Sequence, residues 1–88
     1  MTTWSVYILR CSDDTYYVGY SNDVEKRLET HNAGKGAKYT RSRLPCRVVF
    51  TEQHGSKSAA MKRECQIKTW TRAKKQALIN GETPESIK

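Results

Sequence analysis

Alternating apolar and polar positions near the amino terminus predict a β-hairpin. Between Trp4 and Cys11, every second side chain points to the same face of an extended strand. One face would carry Trp4, Val6 and Ile8, and the other would carry Ser5, Tyr7 and Leu9. The polar turn Ser12–Thr15 separates this strand from a second one, which is predicted over Tyr16–Tyr20.

Three segments with helical spacing lie further along the chain. Asn22 followed by Glu25 has the pattern of a capping box, which predicts a helix from about Asp23 to Asn32. Ser56 and Thr71 are expected to cap two later helices. These are predicted from Lys57 to about Trp70 and from Arg72 to Ile79, before Asn80-Gly81.

The remaining pattern completes a small α+β fold. A glycine-containing loop, His31–Lys38, separates the first helix from a third strand at about Arg47–Gln53. The order ββαβαα predicts a small three-stranded antiparallel sheet flanked by helices. Residues 1–80 are expected to form a single domain, and residues 81–88 are expected to form a frayed carboxyl-terminal tail.

The composition predicts a soluble protein in a reducing compartment. The 88-residue chain is 36% hydrophobic and 28% charged, and no apolar run approaches the roughly 20 residues of a membrane span. Met1–Ser5 lacks the pattern of a secretory signal, so we expect a cytoplasmic protein. Cys11, Cys46 and Cys65 form no C-x-x-C pair and are expected to be reduced, partly buried thiols.

The formal net charge of +7 is concentrated in two segments. Residues 35–47 contain five cations and no acid, and residues 57–75 contain seven cations and the single acid Glu64. Clustered cations suit a polyanion, because neutralising its phosphates releases condensed counterions. A solvated basic face has the same composition, so charge alone leaves both interpretations open.

Five residues carry the candidate chemistry: Tyr7 and Tyr17 on the hairpin, Arg27 and His31 four apart on the first helix, and Glu64 on a later helix. The segments Ser5-Val6-Tyr7 and Tyr17-Val18-Gly19 stand where the GIY-YIG nuclease family has its two name-giving tripeptides. With the later positions in the same order, the chain resembles this family over nearly its whole length. The segment from His31 to Arg41 resembles the small stand-alone branch, rather than the homing, restriction or excision-repair enzymes.

The resemblance implies that Tyr7 helps to activate the attacking water, with Tyr17 as its partner or as a group that positions water. A phenol with a pKa of about 10 is a poor base at neutral pH, so this role needs an electropositive site, which the composition is expected to supply. The rings share a face only if the hairpin loop has an odd length or a bulge. We predict a bulged or three-residue loop around Asp13-Asp14-Thr15; ordinary half-buried aromatics are the alternative.

Three further residues are candidates for contacts with phosphate and metal. Arg27 could hold two phosphate oxygens, and His31 could orient the phosphate or accept a proton. The alternatives are a surface ion pair for Arg27 and a packed or capping role for His31. Helical spacing turns Glu64 partly inward, and the resemblance makes it the ligand of a divalent metal, Mg²⁺ or Mn²⁺. A helical ion pair with Lys68 is the alternative.

The glycine-rich loop supplies candidate substrate-binding residues, namely Lys35, Lys38, Tyr39 and Arg41. Cations can follow a phosphate backbone and a tyrosine can stack on a base, although a solvated turn needs no function. Many members of the family carry an asparagine beyond the metal-binding glutamate, where this chain has Gln76 or its neighbours. Either glutamine replaces that amide or the last helix does not reach the site.

These features predict a metal-dependent endonuclease that hydrolyses phosphodiester bonds in nucleic acid, with DNA favoured over RNA. A non-catalytic nucleic-acid-binding module that keeps the fold is the alternative. An adaptor for an acidic protein would fit the charge and leave the tyrosines, Arg27 and Glu64 unexplained. Because so short a chain has little room for a sequence-reading element, we expect low-specificity or structure-dependent action, with targeting by a protein partner.

Overall fold

In the computed structural model, an antiparallel sheet lies between helices on both of its faces. Residues 3–36 and 38–81 are described, without the side chain of Tyr39. The elements are β1 (Trp4–Arg10), β2 (Tyr16–Ser21), α1 (Val24–Asn32), α2 (Lys38–Arg41), β3 (Arg47–His54), α3 (Lys57–Lys68) and α4 (Arg72–Ile79). The strand order β2-β1-β3 confirms the predicted three-stranded α+β fold. The short helix α2 was not predicted, and the predicted tail beyond Gly81 lies outside the described residues.

Five residues, Cys11–Thr15, separate β1 from β2, and the turn within them contains three. The Cys11 N–H donates a hydrogen bond to the Thr15 carbonyl, with an N···O distance of 2.8 Å, and the turn between these two residues is Ser12–Asp14. Asp14 has a φ of 66°, a left-handed conformation that aspartate tolerates better than most residues. The predicted three-residue loop is therefore confirmed, beginning one residue earlier than expected.

The sheet separates two apolar clusters. On the face covered by α3 and α4, Val6, Ile8 and Val18 of the sheet pack against Ala60, Ile67 and Leu78 of the helices. The face covered by α1 buries Tyr7, Leu9, Cys11 and Cys46, with Val24 and Leu28 packed against them. The alternation predicted for β1 is confirmed, since its consecutive residues enter opposite clusters.

A β-bulge in β3 places two neighbouring residues on the same face. Ile8 pairs with Phe50, whereas Leu9 pairs with Val48, so Val49 is the extra residue. Val49 and Phe50 consequently both pack against the cluster beneath α3 and α4, and Val48 packs against the opposite one. The bulge explains why β3 carries consecutive apolar residues.

Side-chain caps begin the three longer helices. Asp23, rather than the predicted Asn22, caps α1, because the Ser21 hydroxyl bonds to the Asp23 backbone and helps hold this residue in an extended conformation. Ser56 and Thr71 cap α3 and α4, as predicted. Across the described part of the chain, no helix has both the length and the apolar character needed to cross a bilayer.

Candidate active site

A pocket of about 340 Å³ lies at the outer edge of β2. Its walls are formed by Trp4, Tyr7, Tyr17, Gly19, Tyr20, Ser21, Arg27, Lys57 and Glu64. Arg27 comes from α1, which covers one face of the sheet. Lys57 and Glu64 come from α3, which covers the other face. The pocket therefore straddles the sheet edge and gathers four of the five candidate residues.

The strand register places the two motif tyrosines side by side. Tyr7 pairs with Gly19 and Leu9 pairs with Tyr17, so Tyr7 and Tyr17 are diagonal neighbours on one face. Their ring centroids are 6.5 Å apart, at an interplanar angle of 41°. The prediction that the odd-length loop would bring both rings to the same face is confirmed.

Gly19 leaves room for the Tyr7 ring. A Cβ atom at residue 19 would lie 2.5 Å from the Tyr7 hydroxyl oxygen and 2.6 Å from its Cζ. The Tyr7 side chain is 1% exposed, so it has little freedom to move aside. Glycine in the Tyr17-Val18-Gly19 segment is therefore required by close approach of a side chain.

His31 lies behind Tyr7 and is fully buried. Its Nε2 is 3.3 Å from the Tyr7 hydroxyl, and its Nδ1 is 2.9 Å from the Thr40 hydroxyl. Gly36 packs against the imidazole, since a Cβ there would lie 2.3 Å from Nδ1. His31 is not among the pocket residues, so it could act on a phosphate only through Tyr7, from which the geometry allows it to accept a proton.

Burial and charge favour the neutral forms of Tyr7 and His31. Burial raises the pKa of Tyr7, and the hydrogen bond from Arg27 opposes this shift only in part. Burial, followed by the charge of Arg27, lowers the pKa of His31. Arg27 acts in the direction expected of a nearby cation, because it lowers the pKa of Tyr7, but burial outweighs it and the pKa stays above its usual value of 10.

Arg27 and Glu64 present opposite charges to the pocket. Arg27 is an exposed residue, whereas the Glu64 side chain is only 12% exposed. The Lys68 ammonium lies 3.1 Å from the Glu64 carboxylate, so the ion pair considered above as an alternative is present. Because Lys68 is 52% exposed, solvent screens the pair, and such helical pairs contribute about 0.3–0.5 kcal/mol. It offers little opposition to a divalent cation at Glu64.

Glu64 has the chemistry of a single-carboxylate metal ligand. Within residues 3–36 and 38–81, no group of three His, Cys, Asp or Glu residues could enclose a metal ion. Mg²⁺ does not need three protein ligands, because one or two carboxylates can hold it while water and substrate phosphate complete its coordination. The inward carboxylate in a mainly polar pocket fits Mg²⁺ or Mn²⁺.

The predicted substrate-binding loop lies apart from the pocket walls. Lys35, Lys38 and Arg41 are exposed, and these described side chains do not line the pocket. Tyr39 cannot be placed, because its side chain lies outside the described part of the structure. Two residues of this part of the chain, Gly36 and Thr40, instead contact the His31 imidazole on the side away from Tyr7.

The last helix does not bring an amide into the pocket. Gln76 is exposed on α4, and no residue of α4 is among the pocket residues. Of the two interpretations given for Gln76, the structure favours a last helix that does not reach the site. Glutamine therefore does not replace the family's asparagine in this pocket.

Apart from Gly19 of the second tripeptide, four lining residues were not predicted as site residues: Trp4, Tyr20, Ser21 and Lys57. One sequence signal could have identified Lys57, which precedes Glu64 by seven residues and therefore shares its helix face. The others could not be found this way, because their approach to the pocket depends on the packing of α3 at the sheet edge.

A family model described as the GIY-YIG catalytic domain matches residues 3–77. The chain belongs to the GIY-YIG family. The match covers both tyrosine strands, α1 and the whole of α3, which carries Glu64. The GIY-YIG domain implies a nuclease-like function on nucleic acid, and nucleases of this family typically use divalent metals.

Relatives of similar length support this assignment. The GIY-YIG chain is 55% identical over 78 residues to a UPF0213 protein of Natronomonas pharaonis, covering 89% of this chain and 92% of the relative. It is 56% identical over 74 residues to a UPF0213 protein of Halobacterium salinarum, covering 84% and 96%, respectively. The small stand-alone branch predicted from the sequence is therefore confirmed.

Two solution NMR structures share the fold. The UPF0213 protein from Bacillus halodurans has a TM-score of 0.57 at 46% identity, covering 89% of this chain and 83% of that one. A protein from E. faecalis has a TM-score of 0.63 at 36% identity, covering 92% and 86%. Both resemble the GIY-YIG chain over most of its length.

Proposed function

We propose that this domain is a metal-dependent endonuclease that hydrolyses phosphodiester bonds in nucleic acid, with DNA as its main substrate. The proposal rests on one observation, that Tyr7, Tyr17, Arg27 and Glu64 line the same pocket at the edge of β2. These four residues come from four different elements. Packing needs could account for any one of them, and phosphodiester hydrolysis accounts for all four together.

Tyr7 and His31 would provide a route for the proton of the attacking water. As the Tyr7 oxygen takes a proton from water, its own proton passes to Nε2 of His31, 3.3 Å away. This transfer uses the tautomer in which Nδ1–H donates to the Thr40 hydroxyl. The raised pKa of Tyr7 and the lowered pKa of His31 mean that both groups begin neutral and that no free phenolate has to accumulate, but the low pKa of His31 also disfavours the imidazolium that this transfer forms.

Arg27, Tyr17 and Glu64 would act on the phosphate. The planar guanidinium of Arg27 can hold two phosphate oxygens and offset the charge that develops in the transition state. Tyr17 lines the pocket with its ring centroid 5.1 Å from that of His31, where it would position water or phosphate. Glu64 would hold the divalent cation, which when bound supplies Lewis acidity towards the phosphate oxygens.

Glu64→Gln tests the proposal, with Glu25→Gln as the matched control. Both variants remove one negative charge, but Glu25 is exposed on α1 and is not among the pocket residues. Binding and cleavage are measured on single-stranded, duplex and branched DNA and RNA, with Mg²⁺, Mn²⁺ or a chelator. We expect Glu64→Gln to bind and not cut, and Glu25→Gln to do both.

A non-catalytic nucleic-acid-binding module is the second candidate, favoured by the ion pair that Glu64 forms with Lys68. A wild-type protein that binds nucleic acid but cuts none of these substrates with either metal would support the module and refute the endonuclease. Affinity that does not fall as salt rises would refute both functions, because phosphate contacts lose the drive of counterion release. Targeting by a protein partner remains part of the proposal for the endonuclease.

A further inference from the structure

We propose that Trp4 and Tyr20 form a stacking shelf that holds an unpaired nucleobase beside the scissile phosphate. The inference rests on the proposed function and specifies its substrate. The preferred substrate would contain a nucleotide whose base is free of a duplex stack, as in a single strand, a loop or a branch point. Such selectivity would be independent of sequence, because every base has a π face.

The two rings are adjacent and open to the pocket. Their centroids are 6.0 Å apart at an interplanar angle of 46°, and both side chains line the cavity that contains Arg27 and Glu64. Each ring is partly buried against the apolar cluster beneath α3 and α4. This packing holds the rings in place, so a stacking base would cost them little conformational entropy.

Lys57 adds a cation to the shelf. Its ammonium lies over the Trp4 ring, 5.5 Å from the ring centroid, and Lys57 also borders the pocket. A base that stacks on this face of Trp4 would displace the ammonium towards the neighbouring phosphate. Lys57 lies on the same face of α3 as Glu64, two turns closer to the start of the helix. A cation therefore lies near both the aromatic shelf and the proposed metal ligand. Aromatic rings interleaved with cations bind single strands well, since the cation contacts the backbone while the ring contacts the base.

Tyr16, at the start of β2, belongs to an aromatic–cation pair that lies outside the pocket. Arg72 lies 4.5 Å from the centroid of the Tyr16 ring, and Tyr16 is not among the pocket residues. Tyr16 and Tyr20 lie on the same face of β2, are similarly half-buried, and pack against the same cluster. Tyr16→Leu is therefore a matched control for Tyr20→Leu.

The test compares binding of a short single-stranded DNA with binding of an abasic backbone that has the same number of phosphates. Fluorescence anisotropy is measured in chelator, which prevents cleavage by a metal-dependent enzyme. We expect the wild type to bind the base-bearing strand about 5- to 150-fold more tightly, the equivalent of one stacked base at about 1–3 kcal/mol. Trp4→Ala and Tyr20→Leu should lose this preference with unchanged affinity for the abasic strand, whereas Trp4→Phe and Tyr16→Leu should keep most of it.

Equal affinity of the wild type for the two strands would overturn the shelf and leave the proposed endonuclease standing. A preference that survives in Trp4→Ala or Tyr20→Leu would also overturn the shelf, as would an equal loss in Tyr16→Leu, which would indicate distortion of the sheet. Absence of salt-dependent binding to either strand would overturn the proposed function and the shelf together. Circular dichroism of each variant checks that it folds, and Trp4→Phe and Tyr20→Leu keep the test decisive if Trp4→Ala does not.

Discussion

Replacing Gly19 with alanine should displace Tyr7 and impair both stability and cleavage. The new Cβ would lie 2.5 Å from the Tyr7 hydroxyl oxygen, well inside the 3.5–4.0 Å or so of an ordinary carbon contact. Tyr7 is buried and bonded to His31, so relief requires the ring or strand to shift by about 1 Å. Overpacking of this kind costs about 1–3 kcal/mol, and each kcal/mol lowers Tm by about 4–8 °C in a domain of this size.

The same displacement should affect catalysis more than binding. A misplacement of about 1 Å at a reacting group can lower a rate by about 100-fold, whereas Arg27 would still hold the phosphate. Urea unfolding followed by tryptophan fluorescence would give the change in stability. Single-turnover cleavage and anisotropy would give the changes in rate and affinity.

Gly55→Ala provides the control for this substitution. Among the described residues, no heavy atom lies within 4 Å of a Cβ built at Gly55, and its φ is not left-handed. Alanine there should be neutral or stabilise by up to about 1 kcal/mol, because it restricts the unfolded chain. If Gly19→Ala matched Gly55→Ala in urea midpoint and cleavage rate, the close packing of Tyr7 on residue 19 would be refuted.

Two further predictions follow from the buried groups. In the unfolded chain His31 takes up a proton near its ordinary pKa of 6.5, whereas in the folded chain its pKa is lower. Because the unfolded chain then binds more protons, the free energy of unfolding should fall as pH drops below about 6.5. Urea titrations at pH 7 to 5 should show a smaller fall in His31→Gln, and an unchanged fall would contradict the assignment. Burial raises the pKa of the Cys46 thiol to about 12, and its Sγ lies 3.4 Å from that of buried Cys11, whereas Cys65 is exposed. Mass spectrometry after brief alkylation should find one adduct per folded chain, and rapid addition of three would exclude this picture.

Local chemistry was sufficient for most of the secondary structure. Alternation predicted both faces of β1, and the capping residues Ser56 and Thr71 marked where α3 and α4 begin. These features could be predicted because they depend on neighbours within a few residues. The error at α1, where Asp23 replaces Asn22 as the cap, arose from the competing hydrogen bonds of Ser21.

The bulge and the short helix α2 could not be predicted in the same way. The sequence of β3 does not distinguish Val49 from its apolar neighbours. Val49 is the extra residue because Ile8 pairs with Phe50 while the next residue of β1, Leu9, pairs with Val48. Helix α2 contains only four residues, and one of them, Thr40, forms a buried hydrogen bond with His31. A helix this short has too few internal bonds for its own sequence to specify.

The order of Tyr7, Tyr17, Arg27 and Glu64 along the chain was enough to establish the family and the pairing of the tyrosines, because strand alternation and an odd loop determine which side chains share a face. Folding alone decided the surroundings of these groups. It placed His31 behind Tyr7, left the loop cations outside the pocket, and brought Trp4, Tyr20 and Lys57 to its rim. Burial and charge depend on segments distant in sequence, so the high pKa of Tyr7 and the low pKa of His31 exist only in the folded protein.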